Sequence, residues 1–172
     1  MKDKLELIVG DITTLEVDAV CNAANKTLLG GGGVDGAIHR AAGENLLKEC
    51  RGLGGCLTGE AKITKGYNLK ASYVIHTVGP IWRGGNHGEK ELLKNCYKNT
   101  LKLCLKNSIK KIAFPAISTG IYGYPKEEAC KVAINTVFQF LNNQDSGTIK
   151  KVIFCCFDKH TFEIYKKEID FL

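Results

Sequence analysis

Asp35 and His39 stand four residues apart, directly after four consecutive glycines, Gly30 to Gly33. On a helix that spacing puts both side chains on one face, where a carboxylate and an imidazole can share acid–base work. A blander account has Asp35 complementing a helix dipole and His39 filling an ordinary core position. The glycines argue for more. Their backbones let several N–H groups converge on one anion, and the N-terminus of the following helix adds its dipole. A second segment, Ser118-Thr119-Gly120-Ile121-Tyr122-Gly123-Tyr124, offers the same opportunity. Two such loops facing each other would clamp a diphosphate, with Asp35 at the edge of the clamp.

Other phosphate motifs fit less well. Gly31-x-Gly33-x-x-Gly36 matches the dinucleotide pattern G-x-G-x-x-G in form. That fold needs the glycines directly after the first strand, and an acid ~20 residues further on. Here Ala23 to Gly30 intervene, and the later stretch Arg51-Gly52-Leu53-Gly54-Gly55-Cys56 holds no acid. No G-x-x-x-x-G-K-[ST] segment occurs. Hydride transfer therefore ranks a poor second, and an ATPase is disfavoured.

The elements that must position these loops follow from periodicity. Strands are predicted at Leu5–Val9, Ala19–Asn22, Ala61–Thr64, Tyr73–Val78, Lys111–Ile117 and Lys151–Phe157, the last closing the sheet. Helical character runs from Val34 to about Cys50, through the lysine-rich stretch after Gly88, from Pro125 to about Asn142, and over Thr161–Ile169. Pro125 suits the first helical position, with Glu127 and Glu128 in the first turn. Strands alternating with helices predict an α/β/α three-layer sandwich with a mixed, largely parallel central sheet. Ligands of such sheets bind beyond the carboxyl ends of the strands, where both glycine loops fall.

The chain's 172 residues suit one domain, residues 1–172. At 44% hydrophobic and 24% charged it has the balance of a folded protein rather than a disordered one. No apolar run approaches the ~20 residues of a membrane span, and none at the start resembles an export signal, so a cytoplasmic protein is expected. Nineteen glycines exceed the ~7% norm. Eleven of them lie between Gly30 and Gly66, which directs attention to what approaches the backbone there. Eight cysteines lack C-x-x-C or zinc spacing and read as small core residues of a reducing compartment. The net charge of +6 gathers on Lys90, Lys94, Lys98, Lys102, Lys106 and Lys110. Their four-residue recurrence, without interleaved aromatics, reads as a solvated helix face rather than a nucleic-acid stripe.

Six segments in order resemble the macrodomain family, in its MacroD-type hydrolase branch. They are Gly10-Asp11-Ile12-Thr13, Asn22-Ala23-Ala24-Asn25, Gly30 to Gly43, Thr58-Gly59-Glu60-Ala61, Val74 to Pro80 and Ser118 to Pro125. The likeness runs from about Leu5 to Tyr165. It implies a protein that binds ADP-ribose and hydrolyses its ester linkages, on ADP-ribosylated aspartate or glutamate side chains or on O-acetyl-ADP-ribose. It also implies site roles. Asp11 accepts from the adenine amino group, Ile12 packs nearby, and Phe157 lies against the base, although a core position suits Phe157 equally. Gly32, Gly33 and Val34 face Ser118, Thr119, Gly120, Ile121 and Tyr122 across the diphosphate, and Tyr122 packs on the distal ribose. Asn25 hydrogen-bonds that ribose, since an amide can donate and accept to a diol.

Asp35, oriented by His39, is then expected to position or deprotonate the attacking water, with Asn25 beside it. A neighbouring diphosphate would raise the Asp35 pKa toward useful basicity. The substrate's own phosphate could share that role. The chemistry calls for no metal and no cofactor. Departures from the family pattern are small: Lys70 stands where Pro is common, and Cys21 and Cys156 replace small or aliphatic residues. A monomer is the default expectation. Two other classes compete with the enzyme, a non-catalytic reader of ADP-ribose and a polyanion binder using the basic helix. Asn25, Asp35 and His39 occurring together favour the enzyme.

Overall fold

The computed structural model describes residues 1–143 and 146–172. Six strands, β1 (Leu5–Val9), β2 (Ala19–Ala24), β3 (Ala61–Lys65), β4 (Tyr73–Val78), β5 (Lys111–Phe114) and β6 (Lys151–Cys156), form one sheet in the order β1-β6-β5-β2-β4-β3. All neighbours pair in parallel except β3 and β4, which are antiparallel. Strand β6 is interior, and the edges are β1 and β3. The expected closing strand is therefore an interior one, next to the edge strand β1.

Helices α1 (Gly33–Ala42) and α2 (Glu44–Arg51) cover one face of the sheet. Helices α3 (Glu89–Lys106), α4 (Lys126–Leu141) and α5 (Lys159–Asp170) cover the other. Alternation along each strand feeds both cores. Ala19 and Cys21 of β2 face α3 and α4, while Val20 and Ala24 face α1 and α2. All eight cysteines are buried free thiols among these apolar residues.

Three of the boundaries that differ from expectation do so for a clear local reason. The stretch from Val34 to Cys50 is two helices, because Gly43 takes φ +88° between them. Strand β5 stops at Phe114, since Pro115 has no N–H to continue the ladder. Pro125 precedes α4 as its N-cap, its carbonyl accepting from the Ala129 N–H at 2.9 Å.

Strand β2 leads into α1 on one face, and its neighbour β5 leads into α4 on the other. The chain thus parts to opposite sides between two adjacent parallel strands. Open α/β sheets bind ligands at such a point, in the crevice beyond the carboxyl ends of the strands.

Candidate functional site

Both glycine loops border this crevice. Among the described residues, no N–H from Gly30 to Asp35 and none from Ser118 to Tyr122 donates within the protein. Unpaired donors on two adjacent loops, one of them opening α1, make a site for an anion. Neighbouring bonds hold both loops in shape. Asn25 Nδ2 donates to the Gly30 carbonyl at 2.9 Å, and Asn25 Oδ1 accepts from Thr27 Oγ1 at 2.7 Å and the Leu28 N–H at 3.2 Å. In the second loop the Tyr124 N–H donates to the Ser118 carbonyl at 2.9 Å. There the Trp82 N–H also donates to the Tyr122 carbonyl at 2.8 Å. The Trp82 and Tyr124 rings pack with centroids 4.6 Å apart.

Two glycines here have no reason inside the protein. A Cβ on Gly32 or Gly120 would meet nothing within 4 Å, and neither needs a positive φ. A glycine that neither turns the chain nor makes room for a neighbour leaves its backbone open to something arriving from outside. Gly36 is different, because a Cβ there would collide with the Gly31 carbonyl.

Beyond the strand ends two apolar side chains are uncovered. Ile121 is 98% exposed and Phe157 93%, each forgoing about 2 kcal/mol of burial that a bound ring or methylene could recover. Phe157 is therefore not a core aromatic. The Gly10 N–H donates to the Cys156 carbonyl at 3.0 Å, which sets Asp11 and Phe157 side by side at the ends of β1 and β6. Asp11 is exposed and caps the 3-10 turn Ile12–Thr14, its Oδ1 accepting from the Thr13 hydroxyl at 2.7 Å and the Thr13 N–H at 3.0 Å. Those bonds hold its carboxyl below the usual range. Ile12 is buried beneath it.

At the inner end Asp35 is only 5% exposed. Its Oδ1 accepts from Asn22 Nδ2 at 2.8 Å. His39 Nε2 is 3.4 Å from the same oxygen and makes no hydrogen bond. The bond that orients Asp35 therefore comes from Asn22 on β2, while His39 stands within charge-pairing distance. Oδ2 lies on the loop side, where a Cβ on Gly31 would sit 3.1 Å from it and 3.4 Å from Asn25 Nδ2. Burial pushes the Asp35 pKa up, and the Asn22 bond and nearby His39 offset this in part. A raised pKa is thus in place before any phosphate arrives. Of the two residues expected at the distal ribose, Asn25 differs from expectation in one respect. Asn25 has spent its carbonyl oxygen on the loop, so it meets a ligand as a donor.

Asn22 continues inward. Its Nδ2 is also 3.1 Å from His76 Nδ1, and His76 Nε2 is 2.9 Å from Thr64 Oγ1, all buried. The sequence carried half of this signal: residues 20, 22 and 24 alternate as Val, Asn, Ala, and 74, 76 and 78 as Val, His, Val. Each pattern places one polar residue on an apolar strand face. That β2 and β4 are neighbours, with Asn22 opposite His76, is visible only in the fold. Among the described residues no cluster of His, Cys, Asp and Glu could hold a metal ion.

Comparison with known proteins adds to this geometry. Residues 21–133 match the family model of the Macro domain. The chain is 57% identical over 171 residues to the human protein named ADP-ribose glycohydrolase MACROD2, covering 99% of this chain and 40% of that one. It is 55% identical over 166 residues to the O-acetyl-ADP-ribose deacetylase of Klebsiella pneumoniae, covering 94% of each. The fold superposes on the Oceanobacillus iheyensis macrodomain, solved as a variant with ADPR, with TM-score 0.91 and 43% identity. That match covers 97% of this chain and 92% of the other.

Proposed function

This chain belongs to the Macro domain family, and on that footing we propose that it is a hydrolase that binds ADP-ribose and cleaves its ester linkages. One observation carries the reading. Two loops of unpaired N–H donors flank a crevice at whose inner end a buried carboxylate is held by one side-chain bond. The loops bind the diphosphate, with Gly32, Gly33 and Val34 on one side and Ser118 to Tyr122 on the other. Adenine lies on Phe157 with its amino group donating to the free oxygen of Asp11. The distal ribose reaches Asn25, Asp35 and Tyr122.

Ester hydrolysis needs a water delivered to the acyl or anomeric carbon and a group to receive its proton. Asp35 Oδ2 faces the loop side with no hydrogen-bond partner among the described residues. Its raised pKa makes it a stronger base than an ordinary aspartate. As the water adds and the ester C–O bond breaks, Oδ2 accepts a water proton and passes it to the departing oxygen. The products are the free acid and ADP-ribose with its hydroxyl restored. Both substrate classes fit this scheme, mono-ADP-ribosylated Asp or Glu side chains and O-acetyl-ADP-ribose. The free buried thiols suit a reducing, cytoplasmic setting, and the reading needs only a monomer.

The test is incubation with glutamate-linked mono-ADP-ribosylated protein and, separately, with O-acetyl-ADP-ribose, following free ADP-ribose and acetate. Release from either supports the hydrolase. Tight ADP-ribose binding without release from both makes the protein a reader.

A further inference from the structure

Asn22 can orient Asp35 only if its amide faces the right way, and an amide turned by 180° exchanges its N–H for its carbonyl. A carbonyl 2.8 Å from Asp35 Oδ1 would repel the carboxylate and favour its protonated form, which cannot act as a base. Something must select the orientation. We propose that His76, buried beneath α1 and α2, is the positioning residue that sets the Asn22 amide and thereby keeps Asp35 ready as the base. The proposal rests on the hydrolase reading and extends it to residues that touch no substrate.

The hydrogen-bond directions follow from the atoms. Asn22 Nδ2 can only donate, so His76 Nδ1, 3.1 Å away, must accept. A neutral imidazole accepting at Nδ1 carries its proton on Nε2, which is 2.9 Å from Thr64 Oγ1. The Thr64 hydroxyl then donates onward to the Lys65 carbonyl at 3.1 Å or the Val74 carbonyl at 3.5 Å. Each member of the chain has one consistent role. Asn22 gives one amide proton to His76 and the other to Asp35. An imidazole protonated on Nδ1 would set N–H against N–H and turn the amide. Burial, with His39 nearby, holds the His76 pKa down at about 3, so the ring stays neutral through the physiological range. Strand register supports the arrangement, with Asn22 opposite His76 on β2 and β4, and His76 and Thr64 on one face of the β3–β4 pair.

The test compares His76→Leu with His76→Asn. Leucine removes the acceptor, whereas an asparagine carbonyl oxygen can stand near the position of Nδ1. His76→Leu should lose on the order of 10²-fold in kcat, the scale of a misplaced catalytic group, with the Kd for ADP-ribose unchanged. His76→Asn should recover most of that loss. Nitrogen NMR shifts of His76 in the wild-type protein should report the Nε2–H tautomer between pH 5 and 8. The proposal is overturned if His76→Leu keeps wild-type kcat, or loses kcat and affinity together, or if His76→Asn is no better than leucine. An Nδ1–H tautomer overturns it without any variant, which covers the case in which leucine does not fold. Wild type that releases no ADP-ribose overturns the hydrolase reading and the base role with it, and the tautomer measurement then decides only whether His76 sets the Asn22 amide.

Discussion

Asp35 in α1 and Glu89 at the start of α3 are both buried carboxylates at helix N-termini, and their surroundings drive them in opposite directions. Glu89 accepts three backbone N–H groups, from Arg83 at 2.9 Å, Gly85 at 2.8 Å and His87 at 2.6 Å. Burial alone would raise its pKa, but these bonds outweigh it and hold the value at about 2. Asp35 accepts one bond, from a side chain, and burial dominates. The count of fixed donors separates a carboxylate used as a structural anion from one left reactive. Each serves one wall of the crevice. Glu89 folds the segment after Trp82, whose N–H holds the second loop at Tyr122, while Asp35 sits behind the first loop.

The largest test of this contrast is Asp35→Asn. Hydrolysis should fall by about 10²- to 10⁴-fold, the usual worth of a general base, while ADP-ribose still binds in a calorimetric titration. Stability should move the other way. A carboxylate whose folded pKa lies above its ordinary 3.8 stabilises the fold only while protonated, and that stabilisation is lost as pH rises. Asp35→Asn should therefore melt no lower than wild type near pH 7, and any advantage should shrink toward pH 4. A marked drop in Tm at neutral pH would show that Asp35 is structural after all.

Glu89→Gln should invert the pattern. An amide places its own N–H groups among three backbone donors, so Tm should fall while kcat per folded, saturated molecule stays close to wild type. In the wild type the Glu89 contribution is fully present above its ordinary 4.5 and is lost as pH falls toward about 2. A melting series down to pH 3 should therefore bring the Tm of variant and wild type closer together. Equal stability at pH 7 would erase the contrast between the two acids.

The smallest effect separates binding from folding within one loop. Gly32→Ala meets no protein atom, so its Tm should match wild type while ADP-ribose affinity drops by about tenfold, ~1.4 kcal/mol. Gly36→Ala pushes on the Gly31 carbonyl and should lower Tm as well. If both variants behave alike, Gly32 is shaped by folding and not by a ligand.

Much of the fold was legible because local patterns state local backbone geometry. Strands Leu5–Val9 and Tyr73–Val78 coincide with their periodicity, and Gly30 to Gly33 opens a helix as its composition suggests. The break at Gly43 is hidden in the sequence because the apolar spacing of Ile38, Ala41 or Ala42, and Leu46 continues through it. In the site, the pairing of Asp35 with His39 follows from four-residue spacing, but the hydrogen bond that orients Asp35 does not. It comes from Asn22, thirteen residues earlier on another element.

By itself the sequence determined the alternation of elements, the two glycine loops at strand ends and the position of Asp35 on the first turn of a helix. These depend on φ preferences and on neighbours within about four residues, which the order of residues states directly. Only the tertiary structure decided that β2 lies between β4 and β5, that Phe157 faces outward, and that Asn22 joins Asp35 to His76. Asn22 and His76 are separated by 54 residues. Which polar group meets which across a sheet depends on non-local pairing and register, and no local pattern contains that choice.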